Sequence, residues 1–137
     1  MPRHIFDLLK MAFKEINKPL INSKIAILGY AYAGNSDDTR NTPTEALLRN
    51  LKNNQLKIVI QDPFVKEYNA KKISIAKALK GAQAIILMAD HDQYKKLTYN
   101  KLKQLMKKNP IIIDGRNCFD KEEAEEAGFI YKGVGNI

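Results

Sequence analysis

Unbroken apolar runs recur along this chain, and between them apolar positions return every three or four residues. The first such run, Lys24–Gly29 (KIAILG), is aliphatic without alternation, the pattern of a strand covered on both faces. Lys57–Ile60, Ala84–Ala89, Ile111–Asp114 and Phe129–Val134 read the same way. The intervening segments have helical spacing: Pro43–Asn53 with Ala46, Leu47, Leu48 and Leu51 inward, Ser74–Lys80 with Ile75, Ala78 and Leu79, Thr98–Lys108 with Leu102 and Leu105, and Asp120–Ala127. A further amphipathic helix, Pro2–Asn17, carries Ile5, Leu8, Leu9, Ala12, Phe13 and Ile16 and stops at Asn17-Lys18-Pro19. It either packs on the domain or belongs to something upstream. Phe64–Lys71 has no period and reads as irregular.

The punctuation agrees with these boundaries. Thr42-Pro43-Thr44-Glu45 is a helix start, with Thr42 as cap, Pro43 at the first helical position and Glu45 spaced to reach back to the cap's N–H. Asp62-Pro63 stops the second strand, because proline cannot donate to the ladder. Asp120 and Glu123 stand at cap spacing, and Gly128 ends that helix. Strands alternating with helices imply βαβ units. Right-handed crossovers then give an α/β fold, a Rossmann-like three-layer sandwich with a mostly parallel sheet. Such folds hold ligands at the carboxyl ends of their strands, so the loop from Gly29 to Thr42 is the stretch to watch.

Length and charge narrow the class. At 137 residues the chain fits one domain with a real core. Its net charge of +8 comes from lysines spread along the sequence, which reads as solvated helix faces rather than a nucleic-acid surface. A single cysteine excludes an internal disulfide framework and fits a reducing compartment. No stretch is apolar enough to span a bilayer, and Met1–Lys10 lacks a signal-peptide core, so the expected setting is cytoplasmic, without membrane or nucleic-acid partners.

Several loops carry candidate chemistry. Gly29-x-x-x-x-Gly34-Asn35-Ser36 has the outline of a P-loop, but Asn35 replaces the phosphate-gripping lysine, which leaves a glycine turn as the plainer reading. Asp37-Asp38-x-Arg40 is either a metal-binding pair, an Asp–Arg pair shaping the loop, or an arginine facing an anion. His91, between Asp90 and Asp92, is a loop hydrogen-bonder or a ligand. Asp114-Gly115-Arg116-Asn117 closes the fourth strand, where Gly115 permits close approach and Arg116 either reaches a phosphate or carboxylate or pairs with Asp114. Cys118 is a partly buried structural thiol or a nucleophile with no base in sight beyond His91.

Taken together, Ile25–Pro43 (IAILGYAYAGNSDDTRNTP), Asp62-Pro63, Gly81-Ala82-Gln83-Ala84 leading to His91, Ile113–Asn117 (IDGRN) and the closing Gly128–Gly135 resemble the C-terminal domain of the UDP-glucose/GDP-mannose dehydrogenase family. The resemblance covers nearly all of residues 20–137. It implies residues 1–19 as a linker helix ahead of a UDP-sugar-binding domain at 20–137. It also implies an NAD-dependent nucleotide-sugar 6-dehydrogenase, a homo-oligomer whose other domains bind NAD and supply the catalytic cysteine. The substrate would be UDP-glucose or a UDP-N-acetylhexosamine, and the pathway polysaccharide biosynthesis. Tyr32, Ala33 and Arg116 match the family's substrate contacts, and Arg40 matches an arginine that reaches NAD.

Two departures stand out. The family usually has lysine at position 33, and losing one charge-assisted phosphate contact costs on the order of 2 kcal/mol. The chain also lacks a Gly-x-Gly-x-x-Gly segment and a cysteine matching the catalytic one. It is therefore expected not to oxidise substrate alone, as a fragment or one subunit of a split enzyme. The competing expectation is a non-catalytic assembly or regulatory module.

Overall fold

The computed structural model describes residues 2–31, 34–39 and 42–134. Its elements run α1 (Pro2–Glu15), β1 (Lys24–Leu28), α2 (Pro43–Leu51), β2 (Lys57–Gln61), α3 (Ile75–Leu79), β3 (Ala84–Leu87), α4 (Asp92–Lys95), α5 (Tyr99–Leu105), β4 (Ile111–Asp114), α6 (Lys121–Glu126) and β5 (Ile130–Gly133). The strands form one sheet in the order β2-β1-β3-β4-β5, and every pairing is parallel. The expected α/β sandwich is therefore what the chain forms.

Period-two side-chain alternation sorts the strand residues into two cores. Ile25, Ile27, Ile60, Ile86, Ile111 and Ile113 face α1 and α2, where they meet Ile5, Leu9, Phe13 and Leu47. Ala26, Leu28, Ile85, Leu87 and Ile112 face the other way, toward Leu79 of α3, Tyr94 of α4, Leu102 of α5 and Ala124 of α6. Burial on both faces is why the strands read as continuous apolar runs. Of the two placements open to the first helix, the structure has the packed one: α1 lies on α2, β4 and β5 and buries Ile5, Leu9, Ala12 and Phe13.

The caps hold where they decide a boundary. Thr42, Ser74, Thr98 and Asp120 each accept an N–H of the turn they start. Glu45 does not close a capping box. Its carboxylate is taken by two tyrosine hydroxyls, Tyr30 at 2.6 Å and Tyr68 at 3.1 Å, which together outweigh one backbone N–H. The segment after β2 is less irregular than expected, forming a 3₁₀ stretch at Glu67–Lys72 with Tyr68 and Asn69 left-handed at φ 59° and 57°. The short α4 has no counterpart in the apolar spacing, because Tyr94 is its one buried residue. The helix expected over Thr98–Lys108 ends at Leu105, where Met106 turns extended.

Candidate functional site

After β1 the chain crosses to β2 on one side and then to β3 on the other, so the carboxyl ends of β1 and β3 flank the switch point of the sheet. Open parallel sheets leave a crevice there. Three loops converge on it: the β1 loop at 29–31 and 34–35, 88–92 from β3 and 114–119 from β4.

The loop from β1 is held by main-chain contacts. Gly29 has φ +104°, and a Cβ there would lie 2.6 Å from the Cβ of Ala89, so glycine lets β1 and β3 close at this end. Beyond it, the N–H groups of Tyr30 and Ala31 donate to Oδ2 of Asp62 at 2.8 and 3.0 Å. Asn35 donates its N–H to Nδ1 of His91 at 2.7 Å, and its side-chain oxygen accepts the N–H of Asp92 at 3.1 Å. Thr42 and Thr44 return hydroxyls to the carbonyls of Tyr30 and Gly29. The P-loop outline is thus a glycine-bearing turn pinned to its neighbours, with Asn35 engaged in the pinning.

His91 is a loop hydrogen-bonder, fully buried, with Nε2 2.9 Å from Asp62 Oδ2. Asp62 also caps its own turn by accepting the N–H of Phe64 at 2.9 Å. Burial raises the Asp62 pKa, but the hydrogen bonds from His91, Ala31, Phe64 and Tyr30 outweigh that, and the net direction is down. The sequence marks Asp62 as a strand stop and as part of the matched motif, but not as the group that holds the β1 loop. The available signal was a carboxylate at the end of a buried strand with proline next, since proline has no N–H and the side chain must serve donors further away.

The loop from β4 is organised by Asp114, also fully buried. Its Oδ1 accepts the N–H groups of Arg116 (3.1 Å) and Cys118 (3.2 Å), and its Oδ2 accepts Phe119 N–H (2.9 Å) and the Tyr131 hydroxyl (2.8 Å). Asp114 thus turns inward to build the loop. Arg116 is exposed, and its Nε donates to the carbonyl of Met88 at 3.1 Å, which holds the guanidinium at the carboxyl ends of β3 and β4. Gly115 allows the close approach expected of it, toward the Leu87 carbonyl.

Cys118 has the character of a structural thiol. Burial, with Asp114 and Asp90 nearby, pushes its pKa up to about 11. Its candidate base, His91, has both ring nitrogens engaged, with Asp62 and Asn35. Among the described residues no group of three His, Cys, Asp or Glu side chains could hold a metal ion, and no helix is long and apolar enough to cross a membrane. Of the expected contact residues, Arg116 lies on the switch-point rim. Tyr32, Ala33 and Arg40 lie outside the described residues, and with them any pairing of Arg40 with Asp37 or Asp38.

Comparison with known proteins bears on this rim. Residues 26–121 match the family model described as "UDP-glucose/GDP-mannose dehydrogenase family, UDP binding domain". A UDP-N-acetyl-D-mannosamine dehydrogenase of Methanococcus aeolicus is 32% identical, aligned over 99% of this chain and 31% of its own length. The protein of the same name from Pyrococcus horikoshii is 33% identical over 98% of this chain and 31% of its own. Among solved structures, an NDP-N-acetyl-D-galactosaminuronic acid dehydrogenase from Methanosarcina mazei superposes with a TM-score of 0.91 at 36% identity, covering 98% of this chain and 29% of its own. The chain spans roughly three-tenths of the length of each of these relatives.

Proposed function

The chain belongs to the UDP-glucose/GDP-mannose dehydrogenase family, as its UDP-binding domain, and on that premise we propose that the switch-point rim holds the diphosphate of a UDP-sugar through Arg116. The observation that carries this is the aim of that side chain. A buried Asp114 shapes its turn, and the Nε bond to Met88 fixes it over the ends of β3 and β4. The planar fork of a guanidinium matches diphosphate oxygens.

In this reading Tyr32 and the backbone of Ala33 line the pocket from the β1 loop. The chain works with an NAD-binding domain and a middle domain, on the same or another chain, in a homo-oligomeric NAD-dependent 6-dehydrogenase. There the sugar C6 alcohol becomes a carboxylate through two successive hydride transfers, for which NAD supplies the acceptor. Arg40 is this chain's contact to that cofactor. The names of the Methanococcus and Pyrococcus relatives support a UDP-N-acetylhexosamine as substrate over UDP-glucose.

The test is calorimetric titration of the purified chain with UDP. Saturable binding is expected, weakened about tenfold to a hundredfold in Arg116→Ala, the equivalent of one charge-assisted contact at about 1.5–3 kcal/mol. Ala33→Lys should tighten binding by about thirtyfold, since it restores a contact worth on the order of 2 kcal/mol. A wild-type chain that does not bind UDP, or an Arg116→Ala variant that binds as well as wild type, overturns the proposal. Separately, the chain mixed with UDP-sugar and NAD should give no rise in NADH absorbance, and turnover would refute the division of labour.

A further inference from the structure

We infer that the buried Asp62–His91 pair is the positioning element of the nucleotide loop, gripping its backbone at Tyr30 and Ala31 on one side and at Asn35 on the other. The inference rests on the reading that this loop lines the UDP site. It deepens that reading by assigning a role to two residues that cannot themselves touch the ligand, since both are fully buried.

The pair comes from two different loops. Asp62 follows β2 and His91 follows β3, the strands on either side of β1. Upstream of position 32, Asp62 Oδ2 accepts the N–H groups of Tyr30 and Ala31. Downstream of position 33, His91 Nδ1 accepts the N–H of Asn35. The two grips are joined by the 2.9 Å bond between His91 Nε2 and the same Asp62 oxygen. One connected polar unit therefore fixes where the loop leaves β1 and where it returns.

The hydrogen bonds also fix the form of the imidazole. Nδ1 faces an N–H donor, so it carries no proton. Nε2 faces a carboxylate, so it carries one. Protonation of Nδ1 would set two donors against each other and release Asn35. The ring cannot easily turn, because Phe64 and Tyr94 pack against it with centroids 4.9 and 5.3 Å away. Gly34 completes the fit: a Cβ there would fall 2.2 Å from Oδ1 of Asp90 and 2.9 Å from its carbonyl oxygen, so the loop lies directly on the backbone beside His91. A purely structural pair would be served by any packing that fills the same space. A positioning pair needs an acceptor toward Asn35 and a donor toward Asp62 at once.

That difference makes the test. His91→Leu fills the space and removes both functions. His91→Gln can supply both, because an amide presents an acceptor and a donor spaced like the two ring nitrogens. With UDP as the probe, His91→Leu should weaken binding by about tenfold or more, and His91→Gln should return it to within about threefold of wild type. Hydrogen exchange should show the Asn35 amide losing protection in His91→Leu while the β4 amides keep theirs. Nitrogen NMR of the wild-type ring, which requires no variant to fold, should report a neutral imidazole protonated at Nε2. The inference is overturned if His91→Leu binds UDP as wild type does, if His91→Gln is as weak as His91→Leu, or if the proton sits on Nδ1. Failure of the wild-type chain to bind UDP would instead remove the nucleotide assignment. The Asn35 exchange pattern would then judge the grip by itself, retained protection in His91→Leu refuting it.

Discussion

Replacing Asp114 with asparagine keeps the shape of the side chain and removes one acceptor. The amide's best orientation keeps its oxygen toward the N–H groups of Arg116 and Cys118. Its NH₂ then faces Phe119 N–H and the Tyr131 hydroxyl, the present partners of Oδ2. Tyr131 can adapt by accepting from the amide and donating to the Phe119 carbonyl, 3.3 Å away. The Phe119 N–H cannot adapt, and an unmatched donor costs about 1–3 kcal/mol. The two surviving bonds change from charged to neutral acceptors, at about 1 kcal/mol each. Relief of the desolvation carried by the buried charge offsets part of this, leaving a loss of about 3 kcal/mol. With an unfolding entropy of about 2.1 cal/mol/K per residue, that lowers Tm by roughly 10 °C. The chain has no tryptophan, so urea unfolding is best followed by far-UV circular dichroism. The midpoint should fall with the slope m unchanged, and the Phe119 amide should exchange faster than in wild type. A loss below about 1 kcal/mol would refute the assignment of Asp114 as the anchor of the Arg116 turn.

Other outcomes follow from the same geometry. Asp62 titrates below its unfolded value of about 4, so its stabilising share is complete above that pH and disappears as pH falls through the depressed folded value. Asp62→Asn should therefore unfold less steeply than wild type between about pH 5 and pH 2 in circular-dichroism melts, and parallel pH profiles would contradict the depressed value. Gly34→Ala drives a methyl into Asp90 and should cost about 1–3 kcal/mol, read as a lowered Tm; an unchanged melt would mean the loop has room. With its thiol pushed up to about 11, Cys118 should react with iodoacetamide at pH 8 roughly two hundred times more slowly than a free cysteine. Labelling at the free-thiol rate would show the thiol to be accessible and ionised.

The elements were legible because doubly covered strands cannot alternate. KIAIL, AIIL and IIID leave little else to predict, and the caps Thr42 and Asp120 mark their helices correctly. What escaped were interactions between loops distant in sequence. Glu45 had a valid local partner in the Thr42 cap, but tertiary contact offered it Tyr30 and Tyr68. Asp62 and His91 are 29 positions apart, and no periodicity links them. Arg116 and Asp114 are two residues apart, and proximity suggested an ion pair as readily as a ligand contact. Asp114's turn toward backbone donors is set by the depth of β4, which a linear reading does not contain.

The placement of α1 has a consequence for the order of folding. The helix precedes every strand of the sheet in sequence, yet its apolar stripe is completed by β4 and β5, the strands farthest from it along the chain. Glu15 at its end even pairs with Lys132 of the final strand. Leu9 and Phe13 reach the sheet only through contacts of long sequence separation, which form slowly. Docking of α1 on the sheet is thus a late step in folding of the domain, and until it happens the helix presents a greasy stripe, the kind of stretch that chaperones bind.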